Sequence, residues 1–135
     1  MAGKKYLIDT HCLLWFQENN PKIPKRVMRE IQNPENVILF SQLSLYEIAI
    51  KLTIGKLPDF RTDVDDVYHQ AVRDGFLFLN IQNQHIFHYH KILLHEQHRD
   101  PFDRLLIATA FEENAIMITV DKNFQLYTEF IQVFW

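Results

Sequence analysis

The chain is poor in the features that mark secreted, membrane-spanning and disordered proteins. Its 135 residues include one cysteine, Cys12, so no internal disulfide can form and a reducing, intracellular environment is expected. Three glycines and five prolines are too few for a disordered or fibrous chain. No stretch approaches the roughly 20 apolar residues that a membrane-spanning helix needs, and the first residues do not resemble a signal peptide. We therefore expect a cytoplasmic protein with no membrane association.

Positive charge is also scarce. The 14 lysines and arginines are outnumbered by 17 aspartates and glutamates, and no basic tail is present. A formal net charge of −3 disfavours a protein that coats DNA, but it does not exclude a nucleic-acid ligand. The remaining composition, 47% apolar and 23% charged, is typical of one globular domain, to which we assign residues 1–135.

What the sequence does contain is a regular alternation of strand-like and helix-like segments. Short apolar runs predict strands at 6–9, 36–41, 76–81, 115–120 and 131–135. Helical spacing predicts helices between them, including one over 25–32 and a His-rich one over about 83–95. This alternation predicts an α/β fold, in which helices cover both faces of a mainly parallel sheet of about five strands.

Acidic residues follow the ends of the predicted strands. Asp9 and Asp121 come at strand ends, whereas Glu47 and Asp103 fall in the first turns of two predicted helices. Because parallel strands share one direction, all four acids should meet at the edge of the sheet where such folds bind ligands. The sequence therefore predicts a cluster of four negative charges.

Helix capping is the alternative explanation for some of these acids. Ser44 and Glu47 have the spacing of a capping box, with Ser44 as the N-cap. Asp100 is likewise placed to cap the helix that follows, because a proline comes next and Asp103 takes the third helical position. Capping alone could thus account for acids at two of the four places.

The helix faces distinguish the two aspartates. Asp103 shares a face with apolar residues of its own helix, which are Leu106, Ile107 and Ala110. A carboxylate on a core-facing surface needs a partner, because burial of a lone charge is costly. We therefore predict that Asp100 is a structural cap and that Asp103 points inward.

The predicted cluster has a chemical consequence. Four neighbouring carboxylates repel one another unless protons or cations neutralise them. Sites built from carboxylate oxygens suit Mg²⁺ or Mn²⁺. Ions held in this way can activate water and bind the oxygens of a phosphodiester during an in-line displacement.

Four stretches, each supplying one of the acids, span almost the whole chain. They are YLIDTHCLLWF, LSLYEIAIKLTIGKL, HRDPFDRLLIATA and ITVDKNF. In this order they resemble the PIN-domain family, specifically the VapC-like toxin ribonucleases of prokaryotic toxin–antitoxin pairs. The resemblance implies a three-layer α/β/α fold and an endoribonuclease that cleaves RNA phosphodiesters with metal-activated water. It also implies a cognate antitoxin, a homodimer, and one or two Mg²⁺ or Mn²⁺ ions held by Asp9, Glu47, Asp103 and Asp121.

Three further residues resemble site residues of the family. Thr10 and Thr119 lie beside two of the acids, and they are either hydroxyls that support those acids or ordinary turn and strand threonines. Arg104 follows the DPFD motif and either contacts RNA or pairs with an acid at the surface.

Other functions stay open on the sequence alone. A housekeeping RNA-processing PIN nuclease would use the same acids. A phosphoryl-transfer enzyme on a similar fold is disfavoured, because the first strand is followed by DTH and lacks a second acid. A non-catalytic binding module could use the acids to hold a basic partner.

Histidine and cysteine chemistry is not favoured. Five histidines crowd residues 85–98, but no cysteine or acid completes a zinc site, and we expect them at the surface. His11 and Cys12 are sequence neighbours that point apart on a helix, so we expect Cys12 in the core and not as a nucleophile.

Overall fold

Five strands form one sheet in the computed structural model, which describes residues 3–92, 95 and 97–135. In chain order they are β1 (Lys5–Ile8), β2 (Val37–Ser41), β3 (Leu77–Leu79), β4 (Ile116–Ile118) and β5 (Val133–Phe134). The spatial order is β3-β2-β1-β4-β5, and every neighbouring pair is parallel. The predicted parallel sheet is thus confirmed.

Seven helices are found among the described residues. Six are α-helical: α1 (Thr10–Gln17), α2 (Lys25–Gln32), α3 (Gln42–Thr53), α4 (Val64–Arg73), α5 (Asn83–Tyr89) and α6 (Pro101–Glu113). The seventh is a 3₁₀ helix over Lys122–Tyr127, which the sequence pattern did not predict. None of these helices is long and apolar enough to cross a membrane.

The helices cover both faces of the sheet because successive strand side chains point to opposite sides. Tyr6 and Ile8 of β1 pack in one apolar cluster with residues of α1, α2 and α4. Leu7 packs on the other face with residues of α6 and the 3₁₀ helix. All three strand side chains are fully buried, and each such burial contributes about 1.5–3 kcal/mol. The result is the expected three-layer α/β/α arrangement.

Helix α3 begins earlier than the sequence pattern predicted. Its N-cap is Ser41, whose hydroxyl accepts a hydrogen bond of 3.0 Å from the Leu43 N–H. The prediction that Ser44 is the cap is therefore wrong, and Glu47 lies in the second helical turn and not in the first. The physical reason is that Ser41 already ends β2 in an extended conformation, so the chain turns directly from strand to helix.

Other boundaries differ mainly in length. The strand predicted over 115–120 is confined to Ile116–Ile118, because the chain turns at Thr119, whose hydroxyl accepts from the Asp121 N–H at 3.0 Å. The His-rich helix ends at Tyr89, and residues 93 and 94 of the predicted segment lie outside the described residues. Helix α2 has the predicted bounds.

The order of the strands creates a crevice beside β1. The chain passes from β1 to β2 on one side, whereas β4 pairs with β1 on the other. This reversal is a topological switch point, where helices on opposite faces leave room beyond the carboxyl ends of the strands. The Asp9 N–H donates to the Ile118 carbonyl at 3.1 Å, which joins the ends of β1 and β4 at this point.

Candidate metal centre

The crevice holds a cavity of about 380 Å³ whose wall carries five carboxylates. It is lined by Asp9, Thr10, His11, Glu47, Lys51, Asp100, Asp103, Leu106, Val120 and Asp121. The structure thus brings together all four acids that the sequence analysis selected, although they come from four separate segments. It also brings Asp100 to the same wall and places one lysine among the five carboxylates.

Asp9 is the most buried of these acids. It follows β1 directly and caps α1, where its Oδ1 accepts from the Cys12 N–H at 2.8 Å. Burial raises the pKa of Asp9, and hydrogen bonds from Thr119 and Cys12 oppose that rise. The site therefore disfavours an ionised Asp9 unless a positive charge enters.

Glu47 is held by one neighbour on each oxygen. The Thr10 hydroxyl lies 2.7 Å from Glu47 Oε1, and Lys51 Nζ lies 3.2 Å from Oε2. The same hydroxyl lies 2.8 Å from Ser44 Oγ, so these contacts join α1 to α3. Ser44 is fully buried and contacts Thr10, which in turn contacts Glu47. Ser44 therefore supports Glu47 and does not cap α3.

Asp103 is paired with a histidine. His98 Nε2 lies 3.0 Å from Asp103 Oδ2, and His98 Nδ1 lies 2.8 Å from the hydroxyl of Tyr127. Burial raises the pKa of Asp103 to about 6; the His98 hydrogen bond opposes this rise, whereas the nearby Asp100 and Asp121 carboxylates add to it. Asp103 therefore carries the signs of crowding by like charges.

The remaining two acids of the wall are helix caps. Asp121 follows β4 and caps the 3₁₀ helix through a 2.9 Å bond from the Asn123 N–H. Asp100 caps α6, where its Oδ1 accepts from Phe102 N and Asp103 N. A residue can cap a helix and also line the cavity, because the carboxylate caps with one oxygen and its other oxygen is available to a ligand.

Several residues lie elsewhere than the sequence analysis expected. Arg104 is 4% exposed and donates to the Ile92 carbonyl at 2.9 Å, so the expectation that it lies at the surface is wrong. His85 and His98 are buried and not at the surface, because each fills a carboxylate-lined position against α6. Cys12 is buried in the core as predicted, and burial raises the pKa of its thiol.

The sequence analysis missed His98 as a residue of this site. It falls inside the stretch HRDPFDRLLIATA, which is the only local signal that could have found it. Its second partner, Tyr127, is 29 residues away in sequence, and no local sequence pattern predicts the contact.

The donor set suits a divalent cation. Nitrogen of His98 and carboxylate oxygens of Asp103 and Asp121 lie within 4.8 Å of one another. Five carboxylates line the cavity wall, and carboxylate oxygens are the ligands that Mg²⁺ and Mn²⁺ prefer. The residues present therefore fit such an ion.

The acidic cavity of this parallel α/β protein lies at the switch point, where folds of this class bind their ligands. The family model of the PIN domain matches residues 6–129, and the chain belongs to this family. A comparison with curated proteins gave no match.

Solved structures share the fold over almost their whole length. VapBC2 from Rickettsia felis, bound to a DNA fragment from their promoter, matches 96% of this chain and 97% of its own, with 13% identity and a TM-score of 0.67. VapBC-1 from nontypeable Haemophilus influenzae matches 96% of both chains, with 20% identity and a TM-score of 0.64. FitAcB from Neisseria gonorrhoeae matches 96% of both, with 16% identity and a TM-score of 0.60. At such identities the likeness establishes the fold.

Proposed function

We propose that the chain is a metal-dependent endoribonuclease whose cavity holds one or two Mg²⁺ or Mn²⁺ ions. The observation that carries the proposal is the convergence of four acids from four separate segments on one cavity. The raised pKa values of Asp9 and Asp103 support it, because burial makes the ionised carboxylates costly and a nearby cation offsets that cost. Membership of the PIN-domain family favours a nuclease over a phosphatase or a binding module.

Asp9, Glu47, Asp103 and Asp121 would hold the ions in this proposal. A bound divalent ion supplies positive charge that lowers the pKa of water and stabilises the charge developing on a phosphodiester. Carboxylates spread over four segments can surround such an ion from several directions, as Mg²⁺ coordination requires.

The neighbours of the acids fix their orientation before any ligand binds. Thr10 and Lys51 hold the two oxygens of Glu47, and the Cys12 N–H holds Oδ1 of Asp9. Thr119 accepts from the Asp121 N–H and hydrogen-bonds to Asp9. Such preorganised groups need little rearrangement when charge develops on the substrate.

We further propose an antitoxin partner, a homodimer and a cytoplasmic location for the chain. The VapC-like motifs and the fold likeness to VapBC2, VapBC-1 and FitAcB support this. A neighbouring gene whose product co-purifies with the chain and suppresses RNA cleavage would support the toxin reading. Expression that cleaves RNA without arresting growth would favour a housekeeping RNA-processing nuclease.

The direct test is RNA cleavage by the purified protein. We expect cleavage with Mn²⁺ or Mg²⁺, inhibition by EDTA, and loss of cleavage in Asp9→Asn. Asp65→Asn is the matched control, because Asp65 is an exposed aspartate in the first turn of α4 and does not line the cavity. Equal cleavage by wild type and Asp9→Asn would show that the proposed site is wrong, and metal binding without cleavage would favour the binding module.

A further inference from the structure

His98 occupies an unusual place for a charged or polar side chain. It is 5% exposed and lies between the cavity and the apolar cluster that contains Tyr127. Both of its ring nitrogens have a partner, Asp103 on the cavity side and Tyr127 on the core side. The imidazole therefore joins a fully buried tyrosine to one of the cavity acids.

The two partners of the ring favour one position for its proton. The Tyr127 hydroxyl lies 2.8 Å from Nδ1 and 3.4 Å from the His98 carbonyl oxygen, and the shorter contact favours donation of its hydrogen to the nitrogen. A neutral imidazole with an accepting Nδ1 carries its hydrogen on Nε2. Nε2 then donates to Asp103 Oδ2 across 3.0 Å, and the carboxylate gains a donor that it otherwise lacks on that oxygen.

We propose that His98 is a positioning residue that orients the Asp103 carboxylate for a divalent cation, with Tyr127 fixing the imidazole. One oxygen of Asp103 is taken by the N–H of His98, and the other is left for the ion. Hydrogen-bonded outer partners of this kind commonly change metal affinity or activity by about 10–100-fold. The inference rests on the proposed metal site and adds a residue to it.

The opposing interpretation is that His98 binds the ion itself. Its nitrogen lies within 4.8 Å of oxygens from Asp103 and Asp121, which is within the reach of one ion. Direct ligation would require an unprotonated nitrogen with a free lone pair. Nδ1 faces Tyr127 and Nε2 faces Asp103 at hydrogen-bond distance, so the geometry favours donation to the carboxylate.

The chain provides a matched control for the loss of a buried histidine. His85 is fully buried, and its Nε2 lies 2.8 Å from Glu113 Oε2 at the other end of α6. Neither residue lines the acidic cavity. A substitution of His85 therefore removes a similar pair without touching the proposed site.

Calorimetric titration of Mn²⁺ measures the effect on the site. We expect His98→Ala to weaken Mn²⁺ binding by about 10–100-fold. His98→Gln should recover part of the affinity because its amide N–H can donate to Asp103, and His85→Ala should stay within about twofold of wild type. Unchanged Mn²⁺ affinity in a folded His98→Ala variant would overturn the positioning role.

Two spectroscopic readouts keep the inference testable if His98→Ala does not fold. In wild type, ¹⁵N NMR of the metal-free protein should show the His98 proton on Nε2, and electron spin echo spectra of bound Mn²⁺ should show no directly coordinated imidazole nitrogen. A proton on Nδ1 alone, or a coordinated nitrogen, would overturn the inference and leave the metal site intact. Failure of wild type to bind Mn²⁺ would instead overturn the proposed function and the inference together.

Discussion

Each end of α6 carries a carboxylate paired with a buried histidine, but the surroundings of the two pairs differ. At the first turn, His98 contacts Asp103 beside an acidic cavity, and at the last turn His85 contacts Glu113 against α5. The His85 ring also accepts from the Gln82 N–H at 3.1 Å, so this pair closes the start of α5 and joins it to α6. The second pair therefore has a sufficient structural explanation.

The difference lies in the neighbours of each carboxylate. The N-terminus of α6 favours a negative charge through the helix dipole. Burial nevertheless raises the pKa of Asp103 to about 6, and two nearby aspartates contribute to this. A pair that serves only packing has no reason to lie among like charges. The comparison teaches that the surroundings of a histidine–carboxylate pair, and not the pair itself, indicate a site.

The largest difference between substitutions at the two ends of α6 is expected in the rate of RNA cleavage. Asp103→Asn removes a carboxylate from the proposed metal site, and we expect RNA cleavage to fall by at least about 100-fold, which exceeds what loss of an outer partner commonly costs. Glu113→Gln should leave cleavage within about twofold of wild type, because Glu113 does not line the cavity. The measurement is the cleavage rate of one RNA at saturating Mn²⁺. Equal losses in the two variants would remove the distinction.

The free energy of unfolding should respond in the opposite way, with the larger loss on substitution of Glu113. Glu113→Ala leaves the fully buried His85 without its carboxylate partner, and we expect a loss of about 1–3 kcal/mol in the free energy of unfolding. Asp103→Asn relieves charge repulsion and should be neutral or stabilising in the metal-free protein. Urea unfolding in EDTA at pH 7 measures both. A larger loss in Asp103→Asn than in Glu113→Ala would contradict the account.

The dependence of stability on pH should come from Asp103, at the end of α6 that faces the cavity. A carboxyl group whose pKa is higher in the folded state contributes stability below its unfolded pKa and loses it as pH rises through the folded value. For Asp103 that window runs from 3.8 to about 6. Solvent exposure screens the effect, so we expect this group to lower the free energy of unfolding by about 1–2 kcal/mol across the window.

Metal-free urea unfolding at several pH values tests this dependence. Asp103→Asn should flatten the decrease between pH 4 and 6, at the window set by the Asp103 pKa. Saturating Mn²⁺ should reduce the decrease as well, because the cation favours the ionised carboxylate. A decrease that persists unchanged in Asp103→Asn would assign the dependence to other groups, with the buried Asp9 as the first candidate.

The smallest effect is expected at Asp100. Asp100→Ala removes the N-cap of α6 and should cost about 1 kcal/mol in the free energy of unfolding, with a lesser effect on cleavage. Asp100→Asn is the control, because asparagine caps as well as aspartate does and only the charge is lost. A large loss of RNA cleavage in both variants, with little change in the free energy of unfolding, would indicate that Asp100 is a metal ligand.

The sequence predicts what depends on local pattern. Apolar runs and helical spacing predicted the order of strands and helices, because each element follows from its own residues. The edge at which the acids meet followed from the shared direction of parallel strands. The sequence alone therefore predicts that Asp9 and Asp121 lie at one edge of the sheet.

What the sequence could not predict depends on distant partners. The pattern pointed to Ser44 as the cap of α3, whereas Ser41 caps it because β2 ends there. From the sequence, Arg104 is expected at the surface. In the structure it is buried because α5 and the turn after it cover the start of α6. The contact of His98 with Tyr127 joins segments 29 residues apart and has no local pattern.

The central claim is that one acidic cavity at the switch point binds a divalent ion. The most direct test is the anomalous scattering of Mn²⁺ in crystals of the protein grown with that ion. We expect an ion in the cavity, bound by carboxylate oxygens from the set Asp9, Glu47, Asp103 and Asp121. An empty cavity, or an ion only at the exposed cluster of Asp63, Asp65 and Asp66, would contradict it.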